Sequence, residues 1–98
     1  MNMQAMLKQA QKMQKDMMTE KNKIDETIYE GNSQLVTIKM KGTKELLDVK
    51  IDSETLEKDD IEMLQDMITV AVNDALKKID VDTEEKMGKY TKGMPGLL

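Results

Sequence analysis

The hydropathy period of this chain changes twice, from helical to alternating and back to helical, and that order admits few folds. Residues 1 to about 25 contain neither Gly nor Pro, and their apolar side chains recur at helical spacing. In heptads that begin at Met3, the a positions are Met3, Ala10, Met17 and Ile24, and the d positions are Met6 and Met13 before Glu20 and Thr27 interrupt. A stripe of this kind packs against a partner helix. A helix of this length runs roughly 36 Å, whereas a compact chain of about 100 residues has a radius of gyration near 13 Å. The first helix is therefore expected to overhang its own core.

The middle of the chain alternates. Residues 24 to 30 read as a short strand carrying Ile28, ended by the turn-prone Gly31, Asn32 and Ser33. Residues 34 to 41 place Val36, Ile38 and Met40 on one face and Thr37, Lys39 and Lys41 on the other, and residues 45 to 52 repeat the pattern with Leu47, Val49 and Ile51 facing inward. With Gly42 and Thr43 between them, these two strands form a hairpin. A polar connection at residues 53 to 58 holds a helical turn around Leu56. Asp59 or Asp60 then caps a second helix whose apolar positions are Ile61, Leu64, Ile68, Ala71, Val72, Ala75, Leu76 and Ile79. This helix should lie on the hairpin and end near Gly88. Residues 89 to 98, with Gly93, Pro95 and Gly96, read as a flexible tail after a single domain spanning residues 1 to 88.

Composition narrows the functional classes. Only 39% of residues are apolar, the aromatics are Tyr29 and Tyr90, and eleven methionines supply much of the apolar surface, so a core this lean gains area by dimerising. There is no cysteine, which fits a reducing compartment, and neither a membrane-length apolar run nor the apolar block of a secretory signal occurs; a cytoplasmic protein is expected. An enzyme is not expected, because His and Cys are absent, Ser33 and Ser53 lack a plausible base, and no glycine-rich phosphate loop is present. Asp80, Asp82, Glu84 and Glu85 lack the turn glycine and terminal glutamate of a calcium loop and read as solvated helix surface. Neither a metal, a cofactor nor a small-molecule substrate is implied.

The net charge of −4 averages over opposed regions. Residues 1 to 23 hold five Lys against Asp16 and Glu20, a net of +3, whereas residues 45 to 85 carry a net of −10 and Lys86, Lys89 and Lys92 return the end of the chain to +3. In the helical register Lys8, Lys12 and Lys15 point away from the apolar stripe, and Lys8 to Lys15 covers about 10 Å of helix axis, comparable with three phosphate steps of about 3.4 Å on one DNA strand. Glutamines such as Gln4 and Gln11 add hydrogen-bond donors to that face, and Lys86 and Lys89 extend the basic footprint. Every basic residue is lysine, so the arginine fork that commonly reads guanine is missing and any recognition of DNA should be weakly specific. Met3, Met6, Met13 and Met17, with Val72 and Leu76 on the second helix, are the candidate packing and dimer positions. A second reading makes the Met-rich helix a docking surface for another helical protein, since methionine repacks readily.

Four stretches resemble one family. Leu7-Lys8-Gln9-Ala10-Gln11-Lys12-Met13-Gln14, Val49-Lys50-Ile51-Asp52, the block from Met63-Leu64-Gln65-Asp66-Met67-Ile68 into Ala71-Val72-Asn73-Asp74-Ala75-Leu76-Lys77-Lys78, and Glu85-Lys86-Met87-Gly88 are together similar to the YbaB/EbfC family of bacterial nucleoid-associated proteins. The resemblance implies an α+β fold in the order helix, strand, strand, strand, helix, with an antiparallel sheet. It also implies a homodimer whose sheets pair centrally and whose long helices project as tweezer-like arms onto double-stranded DNA in the nucleoid. Gly31-Asn32-Ser33-Gln34 stands where members of that family often carry a glycine-rich run.

Overall fold

A computed structural model describes residues 2–93. Helix α1 (Met3–Glu26) is followed by strands β1 (Ile28–Ser33), β2 (Val36–Lys41) and β3 (Leu46–Ile51), a 3-10 turn at Lys58–Asp60, and helix α2 (Ile61–Gly93). The order is the expected one. The start of α1 is set by Asn2, whose side-chain oxygen accepts a hydrogen bond from the Gln4 backbone N–H at 3.0 Å. At its other end Thr27 turns into extended backbone while its hydroxyl donates to the Lys23 carbonyl.

The three strands form an antiparallel sheet in the order β1-β2-β3. Its first turn lies one step later than the composition suggests. Gly31, Asn32 and Ser33 are strand residues, paired with Ile38, Thr37 and Val36, and the chain reverses at Gln34, which takes a positive φ of 44°. Gly31 is needed for close approach instead: a Cβ there would overlap the Ala71 carbonyl oxygen and come within 2.7 Å of the Ala75 backbone nitrogen. The second hairpin turns where expected, after Lys41, with Lys44 at φ 74°. Because β2 is the central strand, Lys39 and Lys41 stand on the sheet face and not along an edge.

Helix α2 crosses β1 and β2. Its buried row is Met67, Ala71, Ala75 and Ile79, one residue per turn, set against Val36, Ile38 and Met40; Leu64, Ile68, Val72 and Leu76 flank it and are partly buried. Val36, Ile38 and Met40 face inward as their alternation requires. The third strand departs from its expected burial. Val49 and Ile51 pair with Ile38 and Val36, so they share the core face, and Leu47 is the extra residue at a bulge between Asp48 and Leu46. α2 does not reach over β3, and Leu46, Leu47 and Val49 remain 40 to 47% exposed.

Past the sheet, α2 continues through Gly88 to Gly93. Tyr90 is buried with Met87 and Ile24, and Met17 packs against this second cluster. Residues 89 to 93 are therefore helix and not tail; residues 94–98 of the expected tail lie outside the described residues. The pairing of the end of α1 with the end of α2 makes an antiparallel stem that draws the molecule out to 71 × 19 × 14 Å, with a radius of gyration of 19.4 Å against about 13 Å for a compact chain of this length.

Candidate nucleic-acid interface

The roll of α1 about its axis is set at one end. Ile24 and Met17 are the α1 residues that enter the second cluster, and they hold one side of the helix against α2. At about 100° per residue, Gln11, Gln4, Lys15, Lys8 and Lys12 fall within an arc of roughly 100° centred on the opposite side. The five candidate contact residues of α1 thus share one face, turned away from the rest of the protein. All five are exposed, and no ion pair engages Lys8, Lys12 or Lys15 among the described residues. Gln11 and Lys15 also line a shallow surface groove with Gln14, Met18, Thr19 and Asn22.

The basic residues of α2 are held differently. The Lys86 ammonium lies 3.0 Å from Asp82 Oδ2, and Lys89 sits over the Tyr90 ring at 5.1 Å from its centre. Both remain exposed, but Lys86 has a carboxylate partner that offsets its charge locally. The side chain of Lys92 lies outside the described residues. Among the candidate packing residues, Met17 is half-buried in the stem, and Val72 and Leu76 lie against this chain's own core. Met3, Met6 and Met13 lie on exposed surface of α1, at 83%, 50% and 40%.

A row of polar contacts along α2 was not read from the sequence as one device. Asp74 accepts a hydrogen bond from the Asn32 backbone N–H at 3.0 Å, Lys78 donates to the Glu30 carbonyl at 2.9 Å, and the Tyr29 hydroxyl donates to Asp82. These residues recur every four positions, so they form one ridge of the helix, and Asp74–Lys78 and Asp82–Lys86 are ion pairs along it. The ridge fastens α2 to β1 and occupies outward-facing backbone groups of that edge strand. Burial, followed by the bond to Asp82 and its charge, pushes the Tyr29 hydroxyl up to about 12. The Tyr29 bond first, then Lys86, holds Asp82 below the usual carboxylate range; the Asn32 N–H first, then Lys78, does the same for Asp74. Asp82 is thus a structural acceptor, and Asp80 pairs with Lys44 at 3.5 Å. The alternation of acid and lysine at positions 74, 78, 82 and 86 was the available signal; what it lacked was the identity of the strand that the ridge meets.

Charge is segregated along the molecule. The acids between positions 52 and 66 cluster where α2 begins, the end of the helix remote from the stem, and the lysine face of α1 projects from the other end. Among the described residues no group of acids has the arrangement of a metal site, and no helix is long and apolar enough to cross a membrane. The arrangement is that of a cationic rod on an acidic body.

Comparison with known proteins agrees over the full length. The chain is 52% identical to a nucleoid-associated protein of Bacillus licheniformis, with 98% of this chain and 94% of that protein aligned. It is 47% identical to one of Enterococcus faecalis (98% and 94%) and 44% identical to one of Ligilactobacillus salivarius (99% and 95%). Its fold matches the crystal structure of the uncharacterized protein HP0035 from Helicobacter pylori with a TM-score of 0.68 at 25% identity, over 87% of this chain and 91% of that one. The model of the YbaB/EbfC DNA-binding family matches residues 1–94, and with the helix, three-stranded sheet and helix in the same order, the chain belongs to the YbaB/EbfC DNA-binding family.

Proposed function

We propose that this protein is a homodimer that binds double-stranded DNA with little sequence preference, lays the lysine faces of its two α1 arms along the phosphate backbone, and contributes to nucleoid organisation and gene regulation in the bacterial cytoplasm. The observation that carries the reading is the orientation of α1: Lys8, Lys12 and Lys15, with Gln4 and Gln11, share the face opposite the one anchored by Met17 and Ile24. Lysine supplies charge without a rigid fork, so backbone and groove shape outweigh base contacts. Lys86 and Lys89 add charge near the base of the arm.

The dimer reading rests on the unequal edges of the sheet. Side chains of α2 close the β1 edge, whereas the outer backbone edge of β3 has no partner among the described residues and carries Leu46, Leu47 and Val49 exposed beside it. Such an edge invites pairing with another strand. Two copies joined there would point two helical stems outward and place both acidic ends near the centre.

Binding to a mixed-sequence duplex, followed by fluorescence anisotropy across a salt series, tests this. Six lysines on phosphate give a slope of log affinity against log salt of about −5, and the Lys8→Gln, Lys12→Gln, Lys15→Gln variant should lose most of it. Absence of binding by the unmodified protein at low salt would reject the reading. The exposure of Met3, Met6 and Met13 favours one alternative, docking of a helical partner protein; that binding would tolerate salt and respond to Met6→Ser or Met13→Ser.

A further inference from the structure

The turn between β2 and β3 is built against the base of the arm. Its left-handed residue is Lys44, at φ 74°, whereas Gly42 lies outside that region, so the turn itself does not require a glycine at position 42. What requires it is α1. A Cβ at Gly42 would overlap the Ile24 carbonyl oxygen and stand 2.5 Å from the Ile24 carbonyl carbon and 3.1 Å from Asp25 Cα. The Gly42 N–H donates to the Thr27 carbonyl at 3.0 Å, just past the end of α1, and the Lys44 ammonium reaches Asp80 of α2 at 3.5 Å. Ile24, Asp25, Gly42, Lys44 and Asp80 line one crevice of about 160 Å³, where both helices and the turn meet.

We propose that Gly42 is a positioning residue for the arm: by letting the main chain of the turn rest on the last turn of α1, it fixes the angle at which α1 leaves the body and so the placement of the lysine face. Ile24 and Met17 are the α1 residues held in the stem, and they lie about 10 Å apart along the axis, with Met3 about 21 Å beyond Met17. The helix is thus a lever whose short side ends at Gly42. Carbon atoms in contact sit about 3.5 to 4.0 Å apart, so a methyl group at position 42 pushes Ile24 back by about 1 Å. Over the short side that is a tilt of about 6°, which reaches Met3 as about 2 Å in the opposite direction. Two arms of a dimer would change their separation by up to about 4 Å, more than one phosphate step of about 3.4 Å. This last step rests on the DNA-binding reading above; the tilt does not.

Amide residual dipolar couplings of the full-length protein, measured without DNA, report the orientation of α1 against β1, β2 and the part of α2 that lies on them. In Gly42→Ala the expected result is a rotation of α1 by about 6° while the sheet and that part of α2 keep their mutual orientation. A loss of roughly fivefold or more in affinity for a mixed-sequence duplex should accompany it, because the lysines no longer match the phosphates they are placed for. A variant that is merely less stable keeps its orientation, so couplings that fit α1 in its original direction would overturn the proposal, as would a tilt that leaves affinity unchanged. If Gly42→Ala does not fold, Lys44→Gly takes its place. Glycine accepts the φ of 74°, the pair with Asp80 is gone, and the α1 couplings should shrink relative to those of the sheet as the arm covers a wider range; couplings of full size would overturn the proposal. Absence of duplex binding by the unmodified protein is a failure of the DNA-binding reading alone and leaves the orientation test standing.

Discussion

Gly31 shows how one residue sets the distance between the layers. Its missing side chain lets the backbone of α2 at Ala71 and Ala75 rest on β1, and both helix residues are themselves small and fully buried. The obstacle to a larger residue is the main chain of α2, which cannot rotate away, so Gly31→Ala should cost about 3 kcal/mol, the upper range for overpacking, read as a lower urea midpoint at unchanged slope. Tyr29 makes the second argument at this scale. A tyrosine whose folded value is about 12 against 10 in a free chain favours the protonated form on folding, so its contribution is complete below pH 10 and disappears as pH rises from about 10 to about 12. In a Tyr90→Phe background Tyr29 is the sole tyrosine, and its absorbance titration should have its midpoint near 12; a midpoint near 10 would mean that the Tyr29–Asp82 bond is not held in solution. Asp74 and Asp82 act at the other end of the scale: their lowered values make a contribution that is present above about pH 4 and is lost as pH falls through the folded values, releasing α2 from β1.

At the level of elements, the periodic residues were the legible ones. Val36, Ile38 and Met40 alternate in the sequence and are buried in the structure, and the four-residue spacing of Ala71, Ala75 and Ile79 marks the face of α2 that meets them. What periodicity does not carry is the boundary of the cover. Leu47 and Val49 alternate as convincingly as Val36 and Ile38, yet α2 passes over β1 and β2 only, and the crossing position depends on Gly31, which looks like a turn residue from composition alone. Gly88 misleads similarly: an isolated glycine before a tail suggests a helix end, but Tyr90 one turn along the seam gains burial against Ile24 and Met87, and that tertiary contact carries the helix on to Gly93. The lysine face of α1 was legible as a face; its direction relative to the body was not, because the anchoring residues Met87 and Tyr90 lie more than sixty residues away in sequence. The same contact makes a prediction about the arm. Tyr90→Ala removes the ring that Met17 and Ile24 rest on, so it should destabilise the stem by about 3 kcal/mol and raise amide exchange in the last turns of both helices while the amides of β2 keep their protection.

For the whole molecule the decisive quantity is the separation of charge. Lys8 lies nine residues beyond Met17, about 13 Å of helix axis, which exceeds the Debye length of about 8 Å at physiological ionic strength. On the proposed reading, the overhang would let the arm present its lysines to DNA while the acidic end of the body, at the far end of α2, is screened from it. One arm carries only three such lysines, and by the same linkage that gives about −5 for six, a single chain would show a salt slope of about −3. Joining two chains at β3 is what would double the slope, and this makes the interface testable through the binding curve. Val49 is exposed in the single chain and shares the core side of the sheet with Ile38, so Val49→Asp should leave the fold of one chain intact while placing two carboxylates against each other across the proposed seam. Sedimentation should then report a species of one chain, and the salt slope should fall from about −5 toward −3 with a loss of affinity of at least tenfold. A variant that stays dimeric would place the interface away from β3. A monomer that keeps the full slope would mean that both arms on one duplex come from chains associated by the DNA alone.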